Sequence, residues 1–180
     1  ERAIVHFARL LGSVNTGDLG AAKTELAELR KAHERLLRQK DAYKANQVQI
    51  QIKASEAWIL YLEGKKDEAL TQMTLAADME DKTAKHPVTP CEVLPARELL
   101  GDLVLQMKEP GQALLAYEAD LGKNPNRFNG LYGAGLAAER SGRPEKARYY
   151  YGKLLEQAED NSGRSEVALA RKYLKAGLAL

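Results

Sequence analysis

Two aligned stretches decide the fold. ELLGDLVLQMKEPGQALLAYEADLGK at residues 98–123 is followed, 34 residues later, by YGAGLAAERSGRPEKARYYYGKLLEQ at residues 132–157. Ala113 and Ala147 are 34 residues apart, as are Tyr117 and Tyr151. The spacing therefore predicts two consecutive copies of one helix–turn–helix unit.

The spacing has a physical reason in helix packing. Two antiparallel helices approach closely only where their facing residues are small, and Gly101, Ala113, Gly135 and Ala147 fit that role. The tyrosine of each copy then covers the gap towards the following unit. One hairpin cannot bury its apolar face alone, so neighbouring hairpins must stack. Pro125 predicts that the second helix of the first copy ends near Lys123, because the residue before proline disfavours helical geometry.

This pattern resembles the tetratricopeptide repeat (TPR) family, in particular a fragment of a bacterial-type TPR-containing protein. The shared features are the period, a small residue in each helix, an aromatic residue four positions later and a proline near the end. The resemblance is specific over Leu94–Gln157 and degenerate over the first 84 residues. A helical hairpin array outside the family is the alternative. The resemblance implies an all-α fold, a right-handed α-α superhelix of about four helix pairs plus a C-terminal capping helix.

The rest of the chain extends this pattern. Apolar periodicity predicts helices over residues 2–13, 18–39, 41–63, 66–79 and 165–176. Glycine precedes alanine by five positions at Gly17, Gly64 and Gly142 alike. We therefore expect one continuous domain, with its parts given in order: degenerate pairs with long helices over 1–84, a Pro-rich connector over 85–95, two regular units over 94–158 and a capping helix over 163–180.

The connector contains Pro87, Pro90 and Pro95, which together exclude a continuous helix and favour extended backbone. Val88, Val93 and Leu94 favour a segment packed on the helices. A functional loop and a flexible linker are the alternatives.

Composition narrows the possible partners. The 180 residues carry a net charge of +2, with 29% charged residues of both signs mixed along the chain, which disfavours nucleic acid and membrane surfaces as partners. No apolar run is long enough to span a bilayer. Cys91 is the only cysteine, which is compatible with the cytoplasm, the favoured compartment, and also with an exported protein. The chain starts at Glu1 without Met, so we expect a fragment or a processed form.

No motif for catalysis is visible. His6, His33 and His86 are the only histidines, and none has a metal-ligand spacing. The glycine-rich stretch 130–135 lies inside a predicted helix, so it does not fit a phosphate-binding loop. The basic group Arg140, Arg143, Lys146 and Arg148 is interspersed with glutamates and indicates a solvated edge. We therefore expect no enzyme activity, no cofactor and no metal.

The resemblance also implies where a partner would bind. In TPR arrays the first helix of each pair lines a concave surface that holds peptides or partner helices. By register, the corresponding positions here are Trp58, Tyr61, Glu98, Asp102, Asn129 and Tyr132. Trp58 and Tyr61 fit the core equally well. The Lys, Asn and Arg set with which some family members hold a C-terminal carboxylate is missing, and the acidic Glu98 and Asp102 favour a basic or neutral segment.

These observations predict a non-catalytic protein–protein interaction scaffold that holds a peptide or partner segment in its groove. Two alternatives remain open: an accessory or regulatory domain of a larger enzyme, and a small-molecule-binding helical domain with a pocket under the connector. A pocket beside residues 86–94 would favour the last, and an open groove at the predicted positions would favour the scaffold. Homo-oligomerisation through the groove or the capping helix is also open.

Overall fold

A computed structural model describes residues 2–84, 93–158 and 163–176 of the chain. These residues form nine α-helices and no strand, and consecutive helices pack in pairs, so the all-α prediction is confirmed. The predicted connector, with Cys91 and His86, lies largely outside the described residues. The helices are α1 Arg2–Asn15, α2 Leu19–Arg38, α3 Ala42–Leu62, α4 Lys66–Lys82, α5 Ala96–Gln106, α6 Pro110–Lys123, α7 Phe128–Arg140, α8 Pro144–Gln157 and α9 Ser165–Ala176.

The chain forms two compact units, residues 1–99 and residues 100–180, which we call the N-terminal and C-terminal units. The division falls inside α5, so the first turn of this helix belongs to the N-terminal unit and the remainder to the C-terminal unit.

The N-terminal unit is organised around α3. This helix packs on α1, α2 and α4, and α1 also packs on α2. Because α3 has neighbours on several sides, it buries residues around its whole circumference rather than along one stripe. The buried positions are Ala45, Val48, Ile50, Ile52, Ala54, Ser55, Ala57, Trp58 and Ile59.

The C-terminal unit packs α7 against α6, α8 and α9, and packs α8 against α9. The buried ring of Tyr117 on α6 lies against Gly101 on α5 and Gly133 on α7. Tyr151 on α8 lies in the same way against Gly135 on α7. A side chain at any of these three glycines would collide with a tyrosine ring, so small residues are required there.

One turn geometry recurs at five helix junctions. At each junction the last turn is closed by a residue with positive φ: Gly17 (74°), Lys40 (56°), Gly64 (81°), Lys108 (65°) and Gly142 (68°). The N–H of Gly142 donates to the carbonyl of Glu139 at 3.2 Å, and the N–H of Arg143 donates to that of Ala138 at 2.9 Å. The other four junctions make the same pair of bonds. This is the Schellman motif, which satisfies the last carbonyls of a helix.

The alanine five positions after each of these residues is buried. The five alanines are Ala22, Ala45, Ala69, Ala113 and Ala147, none more than 2% exposed. The Gly–Ala spacing seen in the sequence at three places is therefore a turn geometry, and it extends to two junctions where lysine replaces glycine.

Aspartates cap the two helices that follow the first two junctions. Asp18 accepts a hydrogen bond from the N–H of Ala21 at 2.9 Å, and Asp41 accepts one from the N–H of Lys44 at 3.1 Å. Both bonds satisfy N–H groups that the first helical turn leaves without a partner. The cap predicted at Asp18 is confirmed.

Candidate functional site

The six predicted groove residues fall into both units. Trp58, Tyr61 and Glu98 belong to the N-terminal unit, and Asp102, Asn129 and Tyr132 belong to the C-terminal unit. Each set is described within its own unit.

Trp58 is a core residue. Its side chain is only 8% exposed, and its ring packs edge-on against the ring of half-buried Tyr61, with 6.0 Å between centroids. The indole Nε1 is buried and has no hydrogen-bond partner. This environment fits the core alternative for Trp58, since a buried ring offers little area to a partner.

Glu98 is also buried, at 1% exposed. Its neighbour Arg97 forms ion pairs with Asp78, at 2.8 Å, and with Asp81 on α4. A carboxylate enclosed in this way does not present itself to a partner at an open surface. A Glu98→Lys substitution would therefore test the interior of the protein rather than a groove.

Asp102 and Asn129 differ in their surroundings. Asp102 accepts a hydrogen bond from the hydroxyl of Tyr117 at 2.6 Å, which ties α5 to α6. Asn129 is exposed near the start of α7. Asp102 therefore supports the packing of a buried tyrosine, while Asn129 is accessible to a partner.

Tyr132 is the predicted site residue with the richest surroundings. It is half-buried on α7, and its ring lies 6.3 Å from that of Tyr151, which in turn lies 5.2 Å from that of Tyr173 on α9. The hydroxyl of Tyr151 donates to the carboxylate of Glu139 at 2.8 Å. We call Tyr132, Tyr151 and Tyr173, together with Glu139 and Glu166, the tyrosine cluster.

The electrostatics of the tyrosine cluster favour neutral hydroxyls. Burial raises the pKa of Tyr132, and the charge of Glu166 raises it further. Burial likewise raises the pKa of Tyr151 far above its ordinary value, and the hydrogen bond to Glu139 adds to this effect. The cluster thus combines aromatic faces with negative carboxylates, while the charge of Arg140 acts on Tyr132 in the opposite direction.

Three members of the cluster were not among the predicted site residues. Tyr173 and Glu166 lie on α9, which the sequence analysis treated as a capping helix, and Glu139 lies two turns beyond Tyr132 on α7. The available signal was the position of Tyr151: a tyrosine that covers the gap to a following unit requires aromatic or small neighbours on the next helix.

A cavity lies in the N-terminal unit, beside Val93 and Leu94 at the end of the predicted connector. Its volume is about 60 Å³. Its apolar walls include Phe7 on α1, Ile50 and Ala54 on α3, and Leu99 on α5. Gln47 and Gln51 also line it, and each has a buried amide atom with no hydrogen-bond partner. We call this space the glutamine cavity.

The basic group predicted to be a solvated edge takes part in packing at one position. Lys146 on α8 forms an ion pair with Glu118 on α6 at 2.6 Å, and the hydroxyl of Tyr150 donates to the same carboxylate at 2.8 Å. The pair links the two second helices of the C-terminal unit.

Two searches of the described residues found nothing. No helix among them is long and apolar enough to cross a membrane. In the same residues, no group of three or more His, Cys, Asp and Glu side chains is placed to hold a metal ion.

Comparison with known proteins does not extend this picture. No protein-family model matches the chain, and no curated protein matches it either.

Proposed function

We propose that this chain is a non-catalytic, TPR-like scaffold that binds a segment of another protein, and that the tyrosine cluster of the C-terminal unit forms the binding surface. The observation that carries the proposal is the half-buried Tyr132, whose ring lies beside Tyr151 while exposed Asn129 lies one turn away on α7. Interface residues that dominate binding are often tyrosines set in partly enclosed surroundings.

The chemistry of the cluster favours a basic or neutral partner segment. The faces of Tyr132 and Tyr173 can contact aliphatic chains or a cationic group, since aromatic faces attract cations. Glu139 and Glu166 add negative charge, and a carboxylate that accepts one hydrogen bond from Tyr151 retains further acceptor sites. Asn129 can pair with the backbone of an extended peptide.

The test compares two tyrosines on different helices. Tyr132→Ala removes the central ring of the proposed surface, while Tyr149→Ala removes a 59% exposed ring on α8 and serves as the matched control. Partners captured by the wild-type chain are identified, and their basic segments are titrated against all three proteins. We expect Tyr132→Ala to weaken binding by at least about thirtyfold, as expected for a dominant interface residue.

Two results would contradict the proposal. Equal loss of binding in both variants, or no loss in either, would place the binding surface elsewhere. An affinity that does not fall with increasing salt would contradict the basic character of the partner, because attraction between exposed charges is screened.

The glutamine cavity favours binding of a small molecule as a second candidate function. It lies beside Val93 and Leu94, where the sequence analysis placed the pocket that would favour this alternative. The two candidate functions use different units of the chain, so one experiment does not decide both.

A further inference from the structure

The proposed function does not use the glutamine cavity, although the cavity contains the most unusual polar atoms of the N-terminal unit. Nε2 of Gln47 and Oε1 of Gln51 are both buried and both lack a hydrogen-bond partner. Most buried polar atoms in proteins have a partner, because a group removed from water without one is destabilising. Two such atoms at one cavity therefore require an explanation.

The two glutamines are placed as a pair. They are four residues apart on α3, so their side chains lie one helical turn apart on the same face. The unpartnered atom of Gln47 is a donor and that of Gln51 is an acceptor. A group that satisfies both must accept one hydrogen bond and donate another from neighbouring atoms. A primary amide has this arrangement.

Size and charge restrict the occupant further. A space of about 60 Å³ holds about four to six water-sized atoms, at roughly 10–15 Å³ each. This matches the four non-hydrogen atoms of acetamide. The surrounding walls are largely apolar, which disfavours a charged group. The carboxylate of Glu80 also lines the cavity, accepting a hydrogen bond from the N–H of Ala96 at 2.8 Å, and it repels anions.

We propose that the glutamine cavity binds the primary-amide end of a small neutral molecule. The amide carbonyl accepts from Nε2 of Gln47, and the amide N–H donates to Oε1 of Gln51. Val93, which is 60% exposed, lies at the cavity and leaves it accessible from solvent. This site is independent of the tyrosine cluster, so failure of either proposal leaves the other untouched.

The experiment titrates the chain with acetamide and follows the side-chain amide resonances of Gln47 and Gln51 by NMR. These NH₂ groups report directly on the atoms in question. Acetone has the same size but no donor, and acetate carries a negative charge. We expect saturable shifts with acetamide, with a dissociation constant in the millimolar range because the probe is small. Acetone and acetate should bind at least about tenfold more weakly.

Matched variants complete the test. Gln47→Met combined with Gln51→Met keeps the side-chain length and removes both polar atoms, so acetamide binding should fall at least about tenfold. Gln72→Met is the control, because Gln72 on α4 also has a buried amide oxygen without a partner but does not line the cavity. It should leave acetamide binding unchanged, as read from the Gln47 and Gln51 resonances.

Three outcomes would overturn the proposal. The first is wild-type resonances that do not shift up to high acetamide concentration, which would mean that the cavity holds only water. The second is equal binding of acetone and acetamide, which would show that the donor to Gln51 is irrelevant. The third is a double variant that binds acetamide as the wild type does. Because the wild-type titration is decisive by itself, poor folding of a variant does not leave the question open.

Discussion

Four residues after the buried alanine that follows each hairpin turn, the second helix carries Leu26 or Met73 in the N-terminal unit and Tyr117 or Tyr151 in the C-terminal unit. All four side chains are buried, at 7% exposed or less. Leucine and methionine need only apolar volume around them. The tyrosines need two additional features: a glycine where the ring meets the neighbouring helix, and an acceptor for the hydroxyl.

The C-terminal unit supplies both features. Gly133 and Gly135 make room for the rings, and Asp102 and Glu139 accept from the hydroxyls. The comparison shows that a repeat position is a requirement for buried volume at a fixed place, and that aromatic residues fill it only when the glycines and acceptors change with them. The predictions below test this coupling, from the largest expected effect to the smallest.

Loss of a buried tyrosine should have the largest effect. We expect Tyr117→Ala to lower the free energy of unfolding by about 3–5 kcal/mol, because a large side chain is lost from a site that cannot fully collapse. Chemical denaturation measures the change. Tyr149→Ala removes an exposed ring and should cost no more than about 0.5 kcal/mol. Similar losses in both variants would show that Tyr117 does not occupy a special repeat position.

Two glycines should respond in opposite directions to the same substitution. Gly133→Ala should destabilise the protein by about 1–3 kcal/mol, since its Cβ would collide with the ring of Tyr117. Gly152→Ala on α8, where a Cβ meets nothing within 4 Å, should stabilise it by about 0.5–1 kcal/mol. In a Tyr117→Leu background, which copies the N-terminal unit, the cost of Gly133→Ala should fall. An unchanged cost would disprove the coupling.

Alkaline pH should destabilise the C-terminal unit through Tyr151. The pKa of this tyrosine is raised in the folded chain, so its contribution to stability is complete below the unfolded pKa of about 10. Above that pH the unfolded chain releases the proton first, and stability falls by up to about 1.4 kcal/mol per pH unit. Urea denaturation at pH 9 and at pH 11 should show a smaller loss for Tyr151→Phe than for the wild type. Equal losses would show that this hydroxyl ionises normally.

The smallest effect is expected at the turns of the C-terminal unit, where Lys108 and Gly142 hold equivalent positions with positive φ. Lys108→Gly should stabilise the chain by about 0.5 kcal/mol, because glycine adopts this conformation without steric cost and loses only part of that gain to chain entropy. Gly142→Lys should destabilise it by about 1 kcal/mol. Thermal unfolding of both variants measures the pair, and changes of the same sign would contradict the equivalence of the two turns.

Much of the fold could be predicted because it depends on local rules. Helix extents followed from apolar periodicity, and the Gly–Ala spacing identified three of the five turns. The turns at Lys40 and Lys108 were missed because lysine gives no signal for positive φ, although the hydrogen bonds around it are the same. Stacked hairpins impose this backbone geometry whether or not the residue favours it.

The candidate site was less predictable because burial depends on the neighbours of a helix. Register placed Trp58 and Glu98 on a first-helix face, but both are buried. Tyr132 could be predicted from its position within a repeat, whereas Tyr173 lies on a helix that belongs to neither regular copy. Gln47 and Gln51 gave no signal, because glutamines on a long helix usually face solvent. Only the packing of α1, α3 and α4 places them at a cavity.

The central position of α3 has a consequence for hydrogen exchange. Helices that fray or detach alone exchange their amide protons early, whereas α3 cannot separate from α1, α2 and α4 without exposing residues around its whole circumference. Its amide protons, around Ala54 and Ala57 in particular, should therefore exchange only when the entire N-terminal unit opens. The slowest-exchanging protons of this unit would then report its full free energy of unfolding.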